Sequence, residues 1–218
     1  MGQEKIQEEA IGERAPSVYL NASMKRCTVI MILAVAALAG LIAYVDRQPV
    51  ESAVSYADAL ALTDAARVPW VTPNSPEEAE AFARFKSLWS DLTEARVREL
   101  LPRVYDDSIW FNDTVKTITD QATLLDYMLT TAGHVQSCRV EIKDIAYTDQ
   151  GYYVRWDMHV VPKRARPGEV WSSIGITHLR INEAGRVILH QDYWDAAGGL
   201  YEHFPFVGWL IRNIRARL

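Results

Sequence analysis

Near the end of the chain, in the stretch RVILHQDYW over Arg186–Trp194, a histidine and a carboxylate stand two residues apart: His190 and Asp192. The stretch reads as a β-strand, where alternate side chains share a face, so the pair lies side by side. A histidine beside a carboxylate can act as a general acid/base, because small changes of surroundings move its pKa across neutrality. The same pair can equally satisfy itself by hydrogen bonds. A register shift of one residue would turn it away and present Gln191 and Tyr193 instead.

The remaining reactive residues form no further pattern. The five histidines, His134, His159, His178, His190 and His203, show no H-x-H or H-E-x-x-H spacing, so no metal site is expected. Neither a glycine-rich phosphate loop nor a G-x-S-x-G elbow is present, and no cofactor is expected. Two cysteines, Cys27 and Cys138, are too few for a disulfide scaffold, a Cys₄ zinc site or an iron–sulfur cluster. Cys138 falls inside a strand and reads as a small buried side chain. With 23 basic and 28 acidic side chains the formal net charge is −5, which argues against a nucleic-acid partner. Apolar residues at 49% and charged residues at 23% are those of a globular chain, and 218 residues suit one domain with extensions.

Those extensions lie in the first third. Residues 1–26 are polar and unpatterned and read as a tail. Cys27–Val45 then runs for 19 residues without a charge, long enough for a helix to cross a hydrocarbon layer of roughly 30 Å. A membrane anchor is expected there. The alternative is a signal peptide, leaving a secreted protein, but the run is long for one and lacks a small-x-small cleavage site behind it. Arg14, Lys25 and Arg26 outnumber Arg47, which leaves the N-terminus cytoplasmic and sends the C-terminal bulk outward. Residues 46–75, with Pro49, Pro69 and Pro73, read as a linker.

The folded part is expected over residues 76–218. Ser75-Pro76-Glu77-Glu78 opens a helix with a capping box, and Phe82, Phe85, Leu88, Trp89 and Leu92 repeat along its apolar face. A second helix over Glu94–Leu101 should stop before Pro102. Val104–Asn112 reads as a strand. Thr119 should cap a third helix, closed by Gly133. Strands follow at Val135–Thr148, Tyr152–Val161, Trp171–Ile181 and Arg186–Trp194. On the second of these, Tyr152, Val154, Trp156, Met158 and Val160 share one face. Asp157 and His159 share the other, where solvent or a second copy of the chain would meet them. This order predicts an α+β domain with helices on one face of a curved antiparallel sheet and a pocket inside. The last helix carries an apolar stripe of Phe206, Trp209, Leu210, Ile214 and Leu218, backed by Arg212, Arg215 and Arg217. It can pack on the domain or lie on an anionic membrane.

Three runs, Trp110-Phe111-Asn112-Asp113, Gly175–Ile181 (GITHLRI) and Gly185–Asp195 (GRVILHQDYWD), together resemble the nuclear transport factor 2-like superfamily, most closely its bacterial SnoaL-like branch. The resemblance covers about residues 78–218 and implies a cone-shaped α+β fold with an inward pocket. The superfamily includes ketosteroid isomerases, polyketide cyclases and non-catalytic binding modules, so fold does not give function. The resemblance places Asp113 where the isomerases hold their general base, and Phe85 and Thr177 where they hold their oxyanion donors. Phe85 has no hydroxyl and Thr177 is a weak substitute, so isomerase chemistry in that form is not expected. The resemblance also turns His190, Asp192 and Trp194 inward, with Trp156 and Met158. Asp113, His190 and Asp192 are then the candidate acid/base groups. Phe85, Phe111, Trp156, Met158, Thr177 and Trp194 are the candidate pocket. The expected function is binding of a small apolar molecule. The alternative is a cofactor-independent isomerase or cyclase.

Overall fold

The computed structural model describes residues 29–41, 43, 55–164 and 166–218. The chain divides into two units, Met1–Ser52 and Ala53–Leu218. In the first, residues 29–41 and Ala43 are helical and exposed. Among the described residues no helix is long and apolar enough to cross a membrane. The span expected at Cys27–Val45 extends past the described helix at both ends, and the polar tail of residues 1–26 lies outside the described residues.

The second unit runs α1 (Tyr56–Leu62), α2 (Pro76–Trp89), α3 (Glu94–Val104), β1 (Tyr105–Asn112), β2 (Thr117–Ile118), α4 (Gln121–His134), β3 (Val135–Thr148), β4 (Gly151–Pro162), β5 (Trp171–Ile181) and β6 (Val187–Trp194). A short helical turn α5 (Ala196–Gly199), a 3₁₀ turn (Tyr201–His203) and α6 (Pro205–Arg215) complete it. The six strands form one sheet in the order β2-β1-β6-β5-β4-β3. The sheet is mixed, where an antiparallel one was expected: β1 pairs with β6 in parallel. No hairpin joins those two strands, and the long path between them through α4 and β3–β5 leaves their direction free.

Local chemistry explains the ends of the helices. Ser75 Oγ accepts from the Glu78 amide, but the Glu78 carboxylate returns to the amide of Asn74, one residue before the expected partner. Asp120, not Thr119, caps α4 by accepting from Thr123. The carboxylate is the better cap and sits at the residue that leaves the helical path. Gly133 does not close α4, which continues to His134 and passes directly into β3. Nor does Pro102 stop α3. It lies in the last turn, where its missing N–H forfeits one hydrogen bond without breaking the helix.

Helices α2, α3 and α4 pack on one face of the sheet. Phe82, Phe85, Leu88, Val97, Leu101, Leu124 and Met128 meet Tyr152, Val154, Leu179 and Ile181 in one core. Each fully buried aliphatic side chain there contributes about 1.5–3 kcal/mol. Strand β3 forms the far edge of the sheet, with a register irregularity between Ile142 and Asp144. Beside it Lys143 pairs with Glu141 at 2.8 Å and Asp157 at 3.2 Å.

Residues 55–75, expected to belong to a linker, are packed on the domain, with α1 on the sheet face opposite α2–α4. Ala59 of α1 is buried with Trp110 and Leu189, and Val71 joins the main core. Arg180, 2% exposed, holds this segment. Its guanidinium donates to the Leu60 carbonyl, Thr63 Oγ1 and the Gln150 carbonyl at 2.6, 3.0 and 2.9 Å, and lies 4.8 Å from the Trp70 ring. The segment looks like a tether because its own side chains are small. What binds it sits more than a hundred residues away.

His178 joins the same attachment. Its Nε2 lies 2.7 Å from the Gln150 carbonyl, which can only accept, so Nε2 carries the proton. Nδ1 then accepts from the Tyr56 hydroxyl at 2.6 Å. Burial sets the His178 pKa below the ordinary histidine value, against the pull of the Gln150 carbonyl. An unfolded histidine takes up its proton as pH falls through about 6.5, while the folded ring resists, so protonation favours the unfolded state. Stability should therefore fall as pH drops below that value, and α1 should loosen first. Thermal unfolding followed from pH 7 to pH 5 is expected to show the decline, and His178→Gln to flatten it. A profile that the substitution leaves unchanged would remove His178 from the account.

Candidate functional site

Along the inner face of β4, Tyr152 and Val154 are sealed into the core, whereas Trp156, Met158 and Val160 line a cavity of about 530 Å³. Helices α2 and α4 give it Phe85, Trp89 and Tyr127, and strand β3 gives Cys138, Val140 and Ile142. Gly199, Leu200 and Phe204 close over it from the C-terminal segment. Among the described residues no lysine or arginine lines it; its polar contributors are Asp113, Thr131, His134, Thr177, His190 and Asp192, beside the Tyr127 hydroxyl.

A hydrogen-bonded chain runs through the wall, and the arrangement that gives each buried hydroxyl an acceptor is as follows. An indole N–H only donates. Trp89 Nε1 donates to the Tyr105 hydroxyl at 3.2 Å. The Tyr105 proton is then given to His190 Nδ1 at 3.0 Å. Burial pushes the Tyr105 phenol well above its ordinary pKa, so it remains a donor. His190 Nδ1 is thereby an acceptor and Nε2 carries the proton, donated to Asp192 Oδ1 at 3.0 Å. From the other end Trp156 Nε1 donates to Thr177 Oγ1 at 2.8 Å, and Thr177 donates to the same Asp192 Oδ1 at 2.5 Å. Both donors converge on Oδ1, and among the described residues no protein donor reaches Asp192 Oδ2. His190 itself, 2% exposed, is enclosed by Phe85, Trp89, Tyr105 and Phe111, with the Phe111 centroid at 4.7 Å.

Asp113 belongs to a separate cluster in the same cavity. Its Oδ1 accepts from the amides of Val115 and Lys116 at 2.9 and 2.8 Å, and its Oδ2 accepts from the Tyr127 hydroxyl at 2.5 Å. The carboxylate thus shapes the turn between β1 and β2. Burial raises the Tyr127 phenol, and the Asp113 charge adds to the effect.

All nine side chains singled out in the sequence line this cavity: Asp113, His190, Asp192, Phe85, Phe111, Trp156, Met158, Thr177 and Trp194. The register places Gln191 and Tyr193 on the opposite face, where Gln191 bonds Asn112 and Tyr193 meets Tyr56 edge-on. His190 and Asp192 are in direct contact; Asp113 is bonded to neither among the described residues. Sequence reading missed Tyr105, Trp89 and Tyr127, which fix proton positions. Tyr105 starts a strand and Tyr127 sits in an apolar helix, and neither spacing marks it. Among the described residues no group of three or more His, Cys, Asp or Glu could hold a metal ion.

The stripe on α6 does not pack on the sheet as one reading allowed. Phe206 is 74% exposed, and Trp209, Leu210 and Ile214 are exposed as well. The helix is held instead to the preceding turn, through Arg212 to the Glu202 carbonyl at 3.0 Å and through Arg215 to Glu202 and Asp195.

No family model matches the chain, and no curated protein matches it. Solved structures similar to it include an NTF2-like protein of unknown function from Exiguobacterium (15% identity, 53% of this chain and 98% of that one, TM-score 0.45). A SnoaL-like polyketide cyclase from Shewanella putrefaciens is 19% identical over 57% of this chain and 94% of that one, at a TM-score of 0.46. A polyketide cyclase from Acidithiobacillus ferrooxidans is 15% identical over 65% and 99%, at a TM-score of 0.46.

One glycine maintains the wall. A Cβ on Gly175 would run into the Trp156 indole and stand 2.8 Å from Trp194 Cβ, so only a hydrogen fits at this position. Gly175→Ala should displace Trp156 and break its bond to Thr177, costing about 1–3 kcal/mol in urea unfolding. Unchanged stability together with unchanged tryptophan fluorescence would show that the wall tolerates the methyl group.

Proposed function

We propose that the second unit is a nuclear transport factor 2-like, SnoaL-like domain that binds a small apolar molecule in its cavity. The observation that carries this reading is the cavity itself, about 530 Å³ and walled mostly by aromatic and aliphatic side chains. The hydrogen bonds also favour binding over catalysis. The Thr177 proton goes to Asp192, the Tyr127 proton to Asp113 and the Tyr105 proton to His190, so none of these hydroxyls is free to stabilise an oxyanion. Native mass spectrometry of the freshly purified full-length chain should show a co-purifying apolar compound. Met158→Trp, which narrows the cavity, should weaken its retention while the protein remains folded. A wild-type protein that carries nothing and takes up no apolar probe would count against the reading.

One observation favours a second reading, a cofactor-independent isomerase or cyclase. Asp192 lines the cavity with Oδ1 held by His190 and Thr177 and Oδ2 without a donor among the described residues, which suits an oriented general base. In that case Asp192 takes a proton from a substrate carbon, His190 positions it, and Asp113 serves as the second acid/base group. Given a substrate, Asp192→Asn should lower kcat by about 10²-fold or more.

The same proposal holds the chain at a membrane through residues 27–45, with the second unit on the outer side of a bacterial inner membrane. The charge-free run of 19 residues supports it. Full-length protein should stay with membranes through carbonate extraction, and deleting residues 27–45 should release it. A soluble full-length chain would exclude the anchor, and a soluble chain shortened at its N-terminus would favour the signal peptide. A homodimer through the outer sheet face fits the exposure of Ile174, Ile176 and Tyr193 there.

A further inference from the structure

The cavity carries charge of one sign only. Among the described residues it is lined by two carboxylates, Asp113 and Asp192, and by no lysine or arginine. His190 meets Asp192 only at Oδ1, 3.0 Å away, and leaves the second oxygen untouched. His134 lines the cavity from the last residue of α4.

The two carboxylates differ in what they can still accept. Both oxygens of Asp113 are engaged, by two amides and a phenol. Asp192 is 8% exposed, and both of its protein donors meet at Oδ1. Among the described residues Oδ2 is therefore left without a protein donor, on a side chain that lines the cavity with Trp156, Trp194 and Phe111. The wall's donors are committed elsewhere: Trp89 to Tyr105, Trp156 to Thr177, Trp171 to Glu169 and Trp194 to the Asp113 carbonyl. An occupant therefore meets one open anionic acceptor and few free donors. An anionic ligand would lie unpaired against that charge, and a purely hydrocarbon one would bury the carboxylate without a partner. A cation that donates a hydrogen bond satisfies Oδ2, and the negative faces of the surrounding rings favour it further.

We propose that the natural occupant is an apolar molecule bearing a protonated amine, with its N–H donated to Asp192 Oδ2 and its body on the tryptophan and methionine wall. This rests on the ligand-binding reading above and adds the charge of the ligand to it. The test is a set of three probes of one shape, naphthalene bearing an aminomethyl, a hydroxymethyl or a carboxylate group. Each is titrated by calorimetry into the full-length protein at pH 7. The amine should bind about tenfold tighter than the alcohol, or better, and the carboxylate weakest. Asp192→Asn keeps an oxygen for His190 and Thr177 but turns an amide N–H toward the ligand. It should abolish the preference for the amine while leaving the alcohol within about twofold. Equal binding of amine and alcohol overturns the proposal and leaves the apolar-ligand reading standing, whereas tightest binding of the carboxylate overturns the charge argument outright. Failure of all three probes to bind counts against both. The comparison of probes on the wild-type protein decides the matter even if Asp192→Asn does not fold.

Discussion

An indole N–H has one role, and two of them stand at the ends of the buried polar chain. Trp89 and Trp156 donate inward from opposite sides, and a network in which each buried hydroxyl also finds an acceptor runs from both of them toward Asp192. In that arrangement Tyr105 gives its hydrogen to His190, the His190 Nε2 hydrogen goes to Asp192, and Thr177 gives its hydrogen to the same carboxylate. Reversing any one of these bonds would leave two donors or two acceptors facing each other in an apolar wall, at a cost of about 1–3 kcal/mol. The one oxygen left over, Asp192 Oδ2, is a consequence of this bookkeeping and not of a local preference of Asp192.

The helices and the sheet keep that chain in place. Trp89 comes from the last turn of α2, Tyr105 from the start of β1, His190 and Asp192 from β6, Thr177 from β5 and Trp156 from β4. Five elements must therefore be in register before the protons are fixed. The parallel pairing of β1 with β6 brings Phe111 opposite His190, and antiparallel pairing brings Thr177 opposite Asp192. The segment around α1, on the far side of the sheet, braces the same strands through His178 and Arg180, the residues that alternate with Thr177 and Leu179.

Much of this architecture was legible in the sequence. The strands Val135–Thr148 and Trp171–Ile181 fall where period-2 patterning and flanking turns put them. The inward face of β4 follows from the same alternation. The helix ends were less legible, because a proline in a last turn or a choice between Thr119 and Asp120 is settled by one hydrogen bond. Strand direction was not legible for β1 and β6, since no turn joins them. The packing of residues 55–75 was hidden because its partners, Arg180 and His178, lie in another part of the chain. In the site, alternation put His190 and Asp192 on one face, and family resemblance turned that face inward. The proton assignments were out of reach, because they depend on contacts such as Tyr105 with His190, 85 positions apart.

Strand β3 presents a different matter. It is 14 residues long and lies at the end of the sheet, and among the described residues no strand pairs with its outer side. A long open edge is a template on which another chain can add itself, strand by strand, into an aggregate. Two features oppose this. The irregularity between Ile142 and Asp144 interrupts the even spacing of amides and carbonyls that an added strand would need. Arg139, Glu141, Lys143 and Asp144 also set charges along the strand, and an incoming strand would have to desolvate or match them. The rim of the cavity contributed by β3 is thus carried on an edge whose outer side discourages uncontrolled polymerisation, so a lining strand can remain at the margin of the sheet without being covered.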